Sequence, residues 1–334
     1  FCVKSYRNSY EVLFDNNIIE HFFTDIYDHG DYIIIDSNIY ELYFKNIFSN
    51  TINYSLIIAN EDNKNIYSSL NIITKMLDLG FNKKNKLIVI GGGITQDISS
   101  FVAGTLKRGI NWIFIPTTLL AMTDSCIGSK TALNHNNSKN QLGLFYPPNK
   151  VYINKLFLLT LSKKEINSGL GEIIKLFLIG GLHFVKKLNI ENITNDYLIE
   201  LVYDALIIKK TVIEYDEFDK NERNALNYGH TIGHVIEKIS NYDIPHGIAI
   251  FIGIKIINSL FNFKCEIVDN ITNFIIGDYK LENYDKKYFK KLLLTDKKVK
   301  GNEITFIVIE NYGKVKFIKE KIDDILIDKI LKLI

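Results

Sequence analysis

The chain has 334 residues, 47% of them hydrophobic, and its 40 basic against 38 acidic side chains leave a formal net charge of only +2. That length and apolar content exclude a short module and suit two domain cores. The near-neutral charge, with no block of basic residues, argues against a nucleic-acid footprint, and no apolar run reaches the length of a membrane span. Three cysteines at unrelated spacings (Cys2, Cys126, Cys265) cannot build a disulfide framework, which points to a reducing, cytoplasmic setting.

In chain order, residues 32–35, 55–59, 86–90 and 112–116 are short apolar runs rich in β-branched side chains, as expected of parallel strands buried on both faces. Each gives way to a polar turn and then a helical pattern, the alternation of an α/β Rossmann-like domain with a parallel sheet, assigned to residues 1–155. Beyond that point the texture changes to long amphipathic segments such as 196–215 and 231–240, so residues 156–334 are expected to form a mostly α-helical second domain. No internal repeat and no low-complexity linker interrupts the chain.

The strand at 86–90 runs into Gly91-Gly92-Gly93-Ile94-Thr95-Gln96-Asp97, and a helical pattern follows over 98–106. Glycines let the backbone close on a phosphate, and the free N–H groups of a helix start face it with the positive end of the dipole. The run is not a G-x-G-x-x-G fingerprint, and an unliganded tight turn is the competing reading. Next, residues 116–140 carry hydroxyls, the Asp124 carboxylate, Lys130 and Lys139, and the amides of Asn134 and Asn140 before Pro147-Pro148. Polar density at the C-terminal end of a parallel strand is where such sheets bind ligands; the competing reading is a long solvated loop. Third, His230 and His234 lie at i, i+4 and His246 follows twelve residues later, placing three of the seven histidines in one segment. Glu172 and Lys175 share a face of the apolar stretch 169–175, where an unpaired charge is costly. On residue type and spacing alone, Glu172, His230, His234 and His246 are all candidate metal ligands, against a reading as satisfied core or surface histidines.

These segments carry a resemblance. GGGITQD (91–97), RGI (108–110), PTTLLAMTDSCIGSKTALNH (116–135), KNQLG (139–143), SGLGEIIK (168–175), DE (216–217), RNALNYGHTIGHVIE (223–237), HG (246–247) and DKK (296–298) occur in the order of the sugar-phosphate cyclase family, the dehydroquinate synthases within it. The resemblance runs from Asp36 to Lys298. It implies an N-terminal domain that binds NAD, a C-terminal domain that binds zinc or cobalt, and a small anionic sugar phosphate between them. Asp36, Asn38, Glu61 and Lys64 match adenosine-side contacts, Gly91, Gly92, Gly93 and Asp97 the pyrophosphate site. Thr117, Thr118, Lys130, Lys139, Phe157 and Thr160 match further positions around the cofactor. Glu172, His230 and His246 match the metal ligands, which leaves His234 to proton transfer. Asp124, Lys130, Asn140, Lys175, Lys209, Arg223, Asn227 and one of Lys297 and Lys298 match substrate contacts. Arg108 matches a residue that reaches the phosphate from a neighbouring subunit, so a homodimer is expected.

The implied reaction converts 3-deoxy-D-arabino-heptulosonate 7-phosphate to 3-dehydroquinate. It proceeds by transient oxidation, phosphate elimination, re-reduction and an intramolecular aldol closure. Arg223, Asn227 and residues 296–298 favour a substrate with a carboxylate over sedoheptulose 7-phosphate or another sugar phosphate. The lysines of 124–140 argue against a metal-dependent alcohol or glycerol dehydrogenase.

Overall fold

A computed structural model describes residues 1–136, 138–191, 193–279, 284–295 and 299–334. The chain forms two compact units, Phe1–Thr160 and Leu161–Ile334.

The strands of the first unit are β1 (Cys2–Val3), β2 (Tyr10–Phe14), β3 (Tyr32–Asp36), β4 (Asn53–Ile57), β5 (Leu87–Gly91), β6 (Trp112–Pro116), β7 (Lys130–His135), β8 (Ser138–Phe145) and β9 (Lys150–Ile153). Seven of them make one sheet in the order β1-β2-β9-β6-β5-β3-β4. Its pairs are parallel except β1 with β2 at the edge. Ile33 to Ile35 and Leu87 to Ile90 are wholly buried, which explains why their sequences are continuous apolar runs and do not alternate. From β3 the chain moves outward to β4 and returns on the other side as β5. The strand order therefore reverses between β3 and β5, and a doubly wound sheet opens a ligand crevice beyond their C-terminal ends. Asp36 and Gly91 are the last residues of those two strands.

Two features of this unit differ from the sequence expectation. Residues 130–145 are an antiparallel hairpin of β7 and β8, not an open loop. The hairpin is tied to the loop after β4: the Asn134 N–H donates to the Lys64 carbonyl at 2.8 Å, beside a bridge between Asn65 and Asn134. The unit also ends after Thr160, five residues beyond the expected boundary at 155. Its last turn, Lys155–Thr160, buries Phe157 and Leu158, and the Tyr43 hydroxyl bonds the Leu156 carbonyl (3.2 Å) and Thr160 Oγ1 (2.9 Å).

The second unit opens on helix Lys163–Gly180, started by a capping box in which Ser162 and Glu165 satisfy each other's backbone N–H groups. Helices Asn195–Tyr215, His230–Ile239, His246–Leu260 and Glu266–Ile276 follow. The unit also holds an antiparallel sheet, β10 (Val299–Lys300), β11 (Glu303–Asn311) and β12 (Lys314–Lys321), which the helical reading of residues 156–334 did not include. In β12 (KVKFIKEK) four lysines and a glutamate surround Val315, Phe317 and Ile318 and no residue is fully buried, so charge masks the strand pattern. Among the described residues no helix is long and apolar enough to cross a membrane.

Candidate cofactor cradle and metal centre

In the first unit, the site begins at the glycine turn. Helix Gly93–Thr105 starts immediately after β5 with Gly92 as its cap, a residue that offers no side chain to the first N–H groups. A Cβ on Gly91 would lie 2.6 Å from Thr95 Cβ, so protein packing alone requires glycine there. A Cβ on Gly93 would meet only Ser125 Oγ at 3.8 Å. Nothing in the protein excludes a side chain at Gly93, so the open space above the helix start is a cradle that a Cβ would partly fill and that suits a phosphate. On the neighbouring strand end, buried Asp36 caps the next turn, accepting from the N–H groups of Asn38 (2.8 Å) and Ile39 (3.3 Å).

Two charge-paired networks connect the loop after β4, the glycine-turn helix and the hairpin. Lys64 pairs with Asp97 at 2.6 Å and donates to Asn140 Oδ1 at 2.8 Å. Asp97 Oδ1 also accepts the Ala132 N–H (3.0 Å), and its carbonyl accepts the Thr131 hydroxyl (2.7 Å). Burial raises the Asp97 carboxyl above the usual carboxylate range, against the pull of the Lys64 ammonium. Glu61 accepts from Lys139 and from Asn134 Nδ2, both at 2.8 Å. Burial alone would raise the Glu61 carboxyl, but the hydrogen bonds from Lys139 and Asn134 outweigh it and hold it low. The structure therefore brings Glu61, Lys64, Asp97, Lys139 and Asn140 together. Asn134, which no role was assigned, joins the two networks because its Oδ1 accepts the Asn140 N–H at 3.0 Å.

Thr117 is buried and its N–H donates to the Gly91 carbonyl at 3.0 Å, while Thr118 Oγ1 accepts the Ala121 N–H at 3.2 Å. Asp124 lies on the helical turn Ala121–Ser125, and Lys130 begins β7 with its side chain exposed. Phe157 is fully buried, edge-on to Tyr43 with ring centroids 5.3 Å apart, and Thr160 bonds Tyr43 as above. Arg108 is exposed on the turn Leu106–Arg108, with φ of 64°, outside both networks.

The second unit gathers the charged residues of three helices. Glu172, on helix Lys163–Gly180, is wholly buried and forms an ion pair with the equally buried Lys175 one turn later. His246 Nε2 lies 3.3 Å and His230 Nε2 3.7 Å from Glu172 Oε1. Ligand atoms of Glu172, His230 and His246 all fall within 4.8 Å of one another. His230 Nδ1 is 3.2 Å from the Tyr228 carbonyl, which can only accept, so Nδ1 carries a proton and Nε2 is the nitrogen that faces Glu172. His246 Nδ1 faces Glu237 Oε2 at 3.3 Å. Burial lowers the His246 imidazole, but Glu237 and Glu172 on its two sides outweigh that and push it up to about 10. Binding an ion here would displace that proton.

Small residues make this cluster possible. A Cβ on Gly171 would sit 2.0 Å from the Gly247 carbonyl oxygen, and one on Gly247 would sit 1.7 Å from the Ser168 carbonyl oxygen. The glycines of SGLGE and HG therefore let two helices touch backbone to backbone, which carries Glu172 and His246 into reach. One buried carboxylate and two imidazoles, each with an acceptor facing Nδ1, form a donor set that fits zinc or cobalt.

Lys209 and Arg223 are buried as well, at 5% and 4% exposure. Arg223 is held in a loop organised by Asp216, whose carboxylate accepts N–H groups from Lys220 (2.9 Å), Asn221 (2.7 Å) and Arg223 (3.1 Å), while its guanidinium bonds the Glu217 carbonyl. Asn227 ends the turn Glu222–Asn227, and His234 lies on the helix of His230, their rings 5.3 Å apart. Lys297 and Lys298 lie outside the described residues. Glu237 was not anticipated, although its spacing from His234 and His230, three and seven residues, puts it on their helix face.

Residues 55–168 match the family described as 3-dehydroquinate synthase N-terminal, and residues 169–299 match 3-dehydroquinate synthase C-terminal. The chain belongs to the 3-dehydroquinate synthase family. A 3-dehydroquinate synthase of Prochlorococcus marinus subsp. pastoris is 36% identical over 276 residues, 78% of this chain and 76% of the relative. The fold matches 2-deoxy-scyllo-inosose synthase complexed with carbaglucose-6-phosphate, NAD+ and Co2+ (TM-score 0.85, 24% identity, 99% of each chain). It also matches 2-epi-5-epi-valiolone synthase from Streptomyces hygroscopicus subsp. jinggangensis with NAD+ and Zn2+ bound (TM-score 0.84, 20% identity, 100% of this chain and 99% of the other).

Proposed function

We propose that this protein is a 3-dehydroquinate synthase, converting 3-deoxy-D-arabino-heptulosonate 7-phosphate to 3-dehydroquinate and phosphate with NAD and zinc or cobalt. The observation that carries the reading is the Glu172–His230–His246 cluster in a chain whose two halves both match that family. NAD supplies transient hydride acceptance and return at the substrate's C5, with no net consumption. The metal supplies Lewis acidity for the substrate's neighbouring hydroxyls.

The protein's own residues bind and orient. Gly91 to Gly93 and the helix start receive the cofactor's pyrophosphate, Asp36 and Asn38 lie on its adenosine side, and Glu61, Lys64, Asp97 and Lys139 hold the walls in place. Thr117, Thr118, Phe157 and Thr160 complete the proposed cofactor surround. Glu172, His230 and His246 would hold the metal. Lys175, paired with Glu172, and the buried Lys209 and Arg223 are cations of the type that receives a carboxylate and a phosphate, and that role is proposed for them. Asp124 and Asn140 are proposed to fix the sugar's hydroxyls, Lys130 to offset its charge, and Asn227 to contact it. His234, beside His230, is the proposed proton carrier. Arg108, exposed on its turn, is proposed to act across a homodimer. A cytoplasmic location is proposed with this activity.

The test is phosphate release from 3-deoxy-D-arabino-heptulosonate 7-phosphate with zinc or cobalt and catalytic NAD, while absorbance reports NADH. Stoichiometric phosphate without NADH accumulation is the expected result. Release from sedoheptulose 7-phosphate alone would overturn the substrate, and net NADH production would overturn the reaction class.

A further inference from the structure

Glu237 enters none of the roles above, yet it is a buried carboxylate (9% exposed) whose Oε2 lies 3.3 Å from Nδ1 of His246. A carboxylate in such a place is retained only when it is well paired. It sits on helix His230–Ile239, so one helix carries both a metal-facing imidazole, His230, and the carboxylate beside another, His246. The parallel with His230 is close: there the Tyr228 carbonyl stands at Nδ1 (3.2 Å) and Nε2 faces Glu172. Both imidazoles thus have an acceptor behind them and Glu172 in front. We propose that Glu237 is a positioning residue for the metal, accepting the Nδ1 proton of His246 so that the ring is pinned with its Nε2 lone pair directed at the ion. The proposal rests on the metal reading given above and extends it to a residue outside the ligand set. A carboxylate acceptor also makes the imidazole a stronger donor, which a carbonyl does less well.

A rival arrangement exists on the same atoms, because His234, Glu237 and His246 also place ligand atoms within 4.8 Å of one another. In that set Glu237 would itself bind the ion and His246 would have to present Nδ1. The wholly buried Glu172, 3.3 Å from His246 Nε2, favours the first arrangement.

The experiment is a cobalt titration in chelator buffers, reading affinity and the visible absorption band of the bound ion, with metal-free melting curves as a folding control. Glu237→Ala is expected to bind cobalt about 10- to 100-fold more weakly than wild type, with a shifted band. Glu237→Gln, which keeps an accepting oxygen but loses the charge, is expected to recover part of the affinity and most of the band. Wild-type affinity and band in Glu237→Ala would overturn the proposal. If that variant does not fold, Glu237→Gln decides: unchanged affinity and band overturn it, and weaker binding supports it. Retained affinity in Glu172→Gln alongside loss in Glu237→Gln would place the ion with His234 and also overturn it. Absence of stoichiometric cobalt in the wild-type protein would instead sink the metal reading itself.

Discussion

Gly91 and Gly93 stand two residues apart in one motif and differ in what they are for. A side chain at Gly91 collides with buried Thr95, whose short branched side chain has nowhere to go, whereas Gly93 meets only Ser125 Oγ at 3.8 Å. Gly91→Ala is expected to cost about 1–3 kcal/mol of stability. Gly93→Ala is expected to leave the melting temperature nearly unchanged while weakening NAD binding, measured by fluorescence titration. Equal NAD affinity in Gly93→Ala would remove the cradle. At Asp216, burial pushes the carboxyl up, but hydrogen bonds from three backbone N–H groups outweigh it and lower its pKa. A depressed folded-state pKa contributes stability above the unfolded value, near 3.9, that is lost as pH falls through the folded one. Asp216→Asn is therefore expected to be less stable by about 1–3 kcal/mol at pH 7, with the gap closing below about pH 4 in denaturant titrations. The individual ligand types were legible in the sequence, since carboxylate and imidazole at helical spacing announce themselves. Which nitrogen of each ring faces Glu172 was not, because it depends on the Tyr228 carbonyl and on Glu237, which spacing does not orient.

Among the elements, β3, β4, β5 and β6 were readable from apolar runs, and β2 and β9 were not. A strand with partial exposure, such as Tyr10–Phe14 with every other residue buried, gives a run too short to separate from background. The hairpin of β7 and β8 was hidden by its own polarity: no residue of β8 is fully buried, so it resembles a solvated loop until its pairing is seen. The helices around the metal cluster follow from sequence periodicity, but their contact follows from glycine. Gly247→Ala would drive a methyl group to 1.7 Å from the Ser168 carbonyl, which must push helices Lys163–Gly180 and His246–Leu260 apart. It is expected to destabilise the second unit by about 3 kcal/mol and to lower bound zinc measured by atomic absorption. Full zinc content with an unchanged melt would show that this contact does not assemble the cluster.

For the whole molecule, each proposed ligand stabilises by mass action, about 2.7 kcal/mol at a hundredfold excess over its Kd. Zinc and NAD are each expected to raise the melting temperature. Glu172→Gln is expected to abolish the zinc increment and keep the NAD increment, since Glu172 belongs to Leu161–Ile334 and the glycine turn to Phe1–Thr160. Loss of both increments together would argue against separate sites. By itself the sequence determined the α/β and helical halves, the family, and the residue types that could hold phosphate, metal and anion, because these are written in periodicity, spacing and motif order. Only the tertiary structure decided that residues 130–145 pair as a hairpin, that the first unit ends at Thr160, that Lys64 and Lys139 are matched by Asp97 and Glu61, and that Glu237 stands behind His246. Those are matters of distance between residues far apart in the chain, and local pattern carries no record of them.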